Sequence, residues 1–197
     1  VRAAGYKVAL TGEGADEVFG GYDLFKEARV RRFIARQPAS CWRPRLLERL
    51  YPYLKHSPAA GRAMTERFFR EGEAHFREPW FAHLPRWTTT RRLTGFLAPD
   101  WRAAATATDP IDAIAAQLPA DISRWEPLCQ DQYIEAHTLM SGYLLCSQGD
   151  RMAMAQSIET RFPFLDHRLI DFASRLPPRY KLMGLVEKYL LKRSMDG

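Results

Sequence analysis

The sequence predicts a mostly α chain carrying one clear β-strand. Three observations predict it. "YKVAL", Tyr6 to Leu10, is a short β-type run ending at a glycine-containing turn. From Ala15, Val18, Tyr22 and Phe25 recur at helical spacing, and the pattern continues through "KEARVRRFIARQ" to a stop near Pro38. Near the other end, Leu165, Leu169, Phe172 and Leu176 form one apolar stripe, with Asp166 placed to cap its start and Pro177-Pro178 to end it. A single strand cannot make a sheet, so its partners are expected outside this chain or in strands the pattern does not reveal.

The segments between these landmarks read as helices. "CWRPRLLERLYPYL", "GRAMTERFFREGEAHF" and "DPIDAIAAQL" are separated by Pro, Gly and Asp turns, and a long helical segment runs from Trp125 to Asp150. "LPRWTTTRRLTG" reads as an exposed loop because its threonines and paired arginines have no period. Trp42, Trp80, Trp87 and Trp101 read as packing anchors, since no basic stripe accompanies them as a stacking groove would require. No internal repeat and no low-complexity tract occurs.

The 197 residues, 46% hydrophobic and 12% aromatic, suffice for one domain with a proper core. A formal charge of +6 arises from 29 Lys+Arg against 23 Asp+Glu. Most of the basic residues are arginines, which suit bidentate recognition of phosphate or carboxylate, although their scatter also describes a solvated surface. Three cysteines, Cys41, Cys129 and Cys146, are widely spaced without a CxxC pair, which argues against a disulfide framework and a zinc site. A cytoplasmic location is expected, with neither signal peptide nor membrane span. The chain begins "VRAAGYK" without a methionine and ends "LLKRSMDG" inside a helical pattern, and it reads as a piece of something larger.

Two stretches are dense in chemistry. In "LTGEGADEVFGGY", Glu13, Asp16 and Glu17 crowd together, which raises their cost of ionisation unless a cation or backbone donors compensate. Gly12 and Gly14 allow close backbone approach to a phosphate, Thr11 offers a hydroxyl, and Asp16 can hold Mg²⁺ by one carboxylate. Glu13, between the glycines, is free to act as a general base or to orient a nucleophile. A glycine-rich strand-to-helix turn with carboxylates set against the helix dipole explains the same residues without a site, and both readings stay open on these residues alone. The second stretch, "DRMAMAQSIETRFPFLD", sets Asp150, Arg151, Glu159 and Arg161 among apolar residues, either as buried ion pairs or as groups that grip a charged substrate. Met152 and Met154 read as core.

Taken together, "LTGEGADEVFGGY", "DRMAMAQSIETRFPFLDHRLIDFASRLP" and "KLMGLVEKYLLKRSM" resemble, in order, the motifs of the carboxyl-terminal synthetase domain of the glutamine-dependent asparagine synthetase family. The resemblance implies an α/β adenine-nucleotide alpha-hydrolase-like domain of the ATP pyrophosphatase, Rossmann-like type. Such a domain activates an aspartate carboxylate as an acyl-adenylate, releases pyrophosphate and lets ammonia displace AMP. Its cofactors would be ATP and Mg²⁺. Thr11, Gly12 and Gly14 would contact ATP, with Thr11 where serine is commoner, and Asp16 would bind Mg²⁺ and pyrophosphate. Glu13 would face the reacting carbonyl, Lys188 would neutralise the leaving pyrophosphate, and Arg151, Glu159 and Arg161 would shape the substrate wall.

The family's Ser-Gly-Gly-x-Asp-Ser pyrophosphate loop and its cysteine nucleophile for glutamine hydrolysis do not occur in residues 1–197 and would precede Val1. The expectation is therefore a partial synthetase domain, inactive alone, with ammonia supplied by a glutaminase domain, no nucleic acid or membrane partner, and a homodimer left open. Two alternatives remain. One is a related amidotransferase or cyclase acting on another small carboxylate, against which the retained Glu13 speaks. The other is a non-catalytic Arg-rich helical binding module.

Overall fold

The computed structural model describes residues 1–51 and 67–196. They form two compact units, one of Val1–Lys26 with Asp131–Gly197, the other of Glu27–Gln130.

The first unit is organised around a short parallel sheet. Strand β1, Val8–Leu10, pairs with β2, Glu159–Arg161, in the register Val8 to Glu159 and Leu10 to Arg161. The ladder reaches one residue further at each end, since the Glu159 N–H donates to the Lys7 carbonyl and the Thr11 N–H to that of Arg161. The partner strand thus lies inside the second dense stretch, where its charged ends and short length hid it. Both strands are open on their flanks: Leu10 is 75% exposed, whereas parallel strands are ordinarily covered on both faces.

After β1 the chain turns into helix α1, Ala15–Phe19, and then α2, Asp23–Ala35. The continuous helix expected from the apolar spacing is broken because Gly20 takes a left-handed φ of 68° and closes α1 through its N–H to the Asp16 carbonyl. Phe19 anchors α1, fully buried and edge-on to Phe164 with ring centres 6.3 Å apart. Gln132 fixes the far end of α1 by donating from Nε2 to the carbonyls of Glu17 and Val18, while Lys181 Nζ donates to Gln132 Oε1 at 3.1 Å.

The expected long helix begins at Pro127, runs as an α-helix to Glu135, winds more widely with π-type turns over Ala136–Asp150, and finishes as Arg151–Ala155. Asp166 caps the helix His167–Ser174 as expected, accepting from the Arg168 N–H at 2.9 Å, but the stripe it carries is only partly covered and Phe172 is exposed. Met152 and Met154 are also exposed rather than core.

In the second unit, Arg31 is the central clamp. Only 2% exposed, it donates to the carbonyls of Phe69, Phe81 and Glu71 at 2.9, 2.9 and 2.7 Å and lies 4.0 Å over the Phe81 ring. Buried Glu27 accepts two hydrogen bonds from Arg86, at 3.0 and 3.2 Å, and one from Tyr51. "LPRWTTTRRLTG" is not a loop. Pro85 at its first turn starts a helix, Leu84–Arg91, and a 3₁₀ turn follows over Arg92–Phe96. Trp42 and Trp101 are exposed rather than packing anchors, Trp42 being covered on one face by the Arg45 guanidinium. "DPIDAIAAQL" is helical over Pro110–Ala115, capped by Asp109. "CWRPRLLERLYPYL" holds a 3₁₀ stretch over Arg43–Arg49, and its last residues, like the start of "GRAMTERFFREGEAHF", lie outside the described residues.

Candidate active site

The turn after β1 depends on its glycines. Gly14 has φ +87°, and a Cβ there would sit 2.2 Å from Leu165 Cδ2, so only glycine lets the loop close on the turn Pro163–Leu165. Asp16 and Glu17 occupy the first turn of α1, where the exposed N–H groups favour negative charge. Gly21 serves differently. A Cβ there would lie 2.1 Å from Asp16 Oδ1 and 2.1 Å from Lys188 Cε, so its bare backbone is the space in which those two side chains meet. They form an ion pair at 2.9 Å, each side chain about one-third exposed. Lys188 itself is held at φ +49°, a conformation a non-glycine residue adopts at a cost of about 1–3 kcal/mol and that clusters at functional sites.

Gly12, Glu13, Asp16, Tyr22 and Lys188 line one cavity of about 560 Å³, with Leu144, Phe164 and Leu191 supplying its apolar wall. The volume falls within the range of small-molecule sites. Glu17 stands behind this lining, 4% exposed, and accepts a hydrogen bond from the Tyr22 hydroxyl at 2.8 Å. Burial raises the Glu17 pKa above the ordinary carboxylate value and the nearby charges of Asp16 and Glu13 add to the effect, while its hydrogen bonds oppose it. Burial and the Glu17 acceptor also push the Tyr22 phenol upward, so it stays protonated and remains a donor. The Thr11 hydroxyl, one residue before Gly12, is buried without a hydrogen-bond partner among the described residues, which is costly for a polar group.

The structure therefore brings Gly12, Glu13, Asp16 and Lys188 to one cavity, with Gly14 shaping the loop; Thr11 precedes Gly12 in that loop but is not part of the lining. It does not bring Arg151, Glu159 or Arg161 there. All three are exposed; Glu159 and Arg161 pair with each other at 2.9 Å along β2, neither as a buried ion pair nor on the cavity wall. Among the described residues no group of three or more His, Cys, Asp or Glu side chains is placed to hold a metal, and no helix is long and apolar enough to cross a membrane.

Residues 1–197 match the asparagine synthase family throughout. The chain belongs to that family. It is 31% identical to "Putative asparagine synthetase (glutamine-hydrolyzing)" of Mycobacterium tuberculosis, over 96% of this chain and 27% of the relative. It is 28% identical to asparagine synthetase (glutamine-hydrolyzing) 1 of Bacillus subtilis, over 96% and 28%, and to amidase chyE of Penicillium rubens, over 99% and 30%. The chain thus spans between about a quarter and a third of the length of the curated relatives it matches. No solved structure matches it.

Sequence reasoning overlooked four parts of this cavity: Tyr22, Glu17 as its buried partner, Gly21, and the apolar wall. The first three sit in the quoted motif, and the doubled glycine before Tyr22 was the available signal. Leu144, Phe164 and Leu191 arrive from three separate segments, and no local pattern marks them.

Proposed function

We propose that this chain is part of the synthetase domain of an ATP-dependent carbon–nitrogen ligase. The domain activates a carboxylate, aspartate first among the candidates, as an acyl-adenylate that ammonia from a glutaminase domain converts to an amide. The observation that carries this reading is the convergence on one cavity of a loop carboxylate, Glu13, with an acid–lysine pair, Asp16 and Lys188, from opposite ends of the chain.

In the reaction a carboxylate oxygen attacks the α-phosphorus of ATP, the bond to the bridging oxygen breaks, and pyrophosphate leaves. Ammonia then adds to the acyl carbon, a proton is lost, and AMP departs. Lys188 supplies positive charge where the leaving pyrophosphate gathers negative charge. The Thr11 hydroxyl and the backbone at Gly12 meet the nucleotide's phosphates, the one as an orphaned donor and the other with open space where a side chain would begin. Glu13 faces the acyl carbon and accepts the proton ammonia sheds. The hydrogen bond from half-buried Tyr22 to buried Glu17 keeps the first turn of α1 in place.

A lone carboxylate beside bound phosphates suits Mg²⁺, which takes one or two protein carboxylates and completes its shell from phosphate and water. Asp16 would hold it, and the ion would neutralise phosphate charge when bound. The open flanks of β1 and β2 and the exposed apolar residues Tyr6, Val8 and Leu10 support a sheet continued by strands outside this chain, and with it the larger adenine-nucleotide alpha-hydrolase-like domain. On this reading the isolated piece is inactive.

The similarity to amidase chyE, as close as that to the Bacillus subtilis synthetase, favours testing acceptors other than aspartate. The test is AMP and pyrophosphate release by the full-length protein with ATP, Mg²⁺ and ammonia across a panel of small carboxylates. Release driven by one carboxylate is the expected result. Absence of release with every carboxylate would overturn the adenylation reading.

A further inference from the structure

The second unit contains a cavity of its own, about 570 Å³, that the ligase chemistry does not use. Among the described residues three arginines line it, Arg32, Arg36 and Arg77, together with Phe76, Trp125 and Gln130, and no acidic residue does. Elsewhere in this unit some arginines face carboxylates: Arg86 pairs with Glu27 and Arg91 with Asp109 at 2.9 Å. Arg36 and Arg77 have no carboxylate partner among the described residues. Arg32 is drawn inward, 8% exposed, with its guanidinium 5.5 Å over the Phe81 ring.

The remaining lining supplies the complement of a planar ring. Phe76 and Trp125 supply aromatic rings to the wall, and the Arg77 guanidinium lies 5.4 Å over the Phe76 ring. Trp125 is anchored by its Nε1 donating to Asp121 at 3.1 Å. Gln130 is oriented by two hydrogen bonds from Nε2, to the carbonyls of Ile122 and Trp125, both at 3.0 Å. That leaves Oε1 as the acceptor Gln130 presents. Phosphate recognition by arginine forks, stacking on aromatic faces and an amide oxygen for an exocyclic amine are together the recognition set of a nucleotide whose base carries an amino group. The volume is that of a small-molecule site.

We propose that this cavity is an accessory site for an amino-bearing mononucleotide, separate from the Glu13–Asp16–Lys188 cavity. Arg36 and Arg77 take the phosphate, Trp125 and Phe76 take the base, and Gln130 reads its amine. The proposal does not depend on the ligase reading, because none of its residues belongs to that cavity.

The test is equilibrium dialysis of AMP with the full-length protein carrying Thr11→Val, which removes the hydroxyl placed on the nucleotide's phosphates at the first cavity, against the same protein with Arg36→Ala and Arg77→Ala added. Both arginines are exposed, so the fold should survive; circular dichroism and the thermal midpoint check this. Saturable AMP binding in the first protein and a loss of roughly tenfold or more in affinity in the second are expected, since two charge-assisted contacts disappear. Weaker binding of ribose 5-phosphate than of AMP assigns the difference to the base, and Gln130→Leu should erase part of it. AMP affinity unchanged by the arginine substitutions, or no saturable binding before them, would overturn the proposal, as would equal binding of ribose 5-phosphate and AMP.

Discussion

The two units bury charge to opposite ends. Arg31 in the second is enclosed and spends its donors on backbone carbonyls, so its charge is consumed in holding segments together. In the first, Asp16 and Lys188 pair while both remain partly open to a cavity, a glycine making the space for them. Removing a charge of the first kind should cost stability. Removing one of the second kind should cost activity and leave the fold standing.

The sharpest way to break this contrast is Arg31→Met. Three or more carbonyls lose their donor in a buried setting, and about 3–5 kcal/mol of stability should be lost. Urea unfolding would measure it, and a loss below about 1 kcal/mol would show that water replaces the guanidinium and that the clamp is dispensable.

A smaller effect separates Glu17 from the groups around it. Tyr22→Phe removes the donor to its carboxylate, which should cost about 1 kcal/mol and raise the Glu17 pKa further, because a hydrogen bond that favours the charged form is gone. Folding already raises that pKa. In the window above the unfolded value the native state holds more protons, so this group's contribution is full below the unfolded pKa and is lost as pH rises through the folded one. Tyr22→Phe should widen that window upward, read as a steeper fall in thermal midpoint above pH 4.5. Asp166 works the other way. Its bonds to the Arg168 side chain and N–H lower its pKa to about 2, so its contribution holds above the unfolded value and fades as pH falls through the folded one. A midpoint that moved in the same direction for both carboxylates would contradict the assignment.

How legible this was depended on how local each feature is. The loop from Thr11 to Asp16 was readable because glycine spacing and carboxylate crowding are chemistry within a few residues. The Asp166 cap and the Pro177-Pro178 stop were readable for the same reason. Lys188 was not readable from its own surroundings; a lysine on a helix is ordinary, and only the family resemblance singled it out before its left-handed backbone and its ion pair were seen. Strand β2 escaped because three residues with charged ends show no apolar alternation, and it exists through pairing with β1. Glu159 and Arg161 drew attention by charge, yet their partner is each other. The exposure of Trp42, Trp101, Met152 and Met154 shows the opposite failure, apolar type being taken for burial where the tertiary context leaves the side chain open.

The most direct test of the central claim, that the Asp16–Lys188 pair is catalytic equipment rather than a structural bridge, is carboxylate-dependent ATP–pyrophosphate exchange in the full-length protein with Lys188→Ala and, separately, Gly21→Ala. The first removes the charge. The second keeps both charges but fills the space in which they meet. Exchange should fall by roughly 10²–10³ for Lys188→Ala and substantially for Gly21→Ala, with thermal unfolding little changed in the lysine variant. Exchange at the wild-type rate in a folded Lys188→Ala protein would contradict the account.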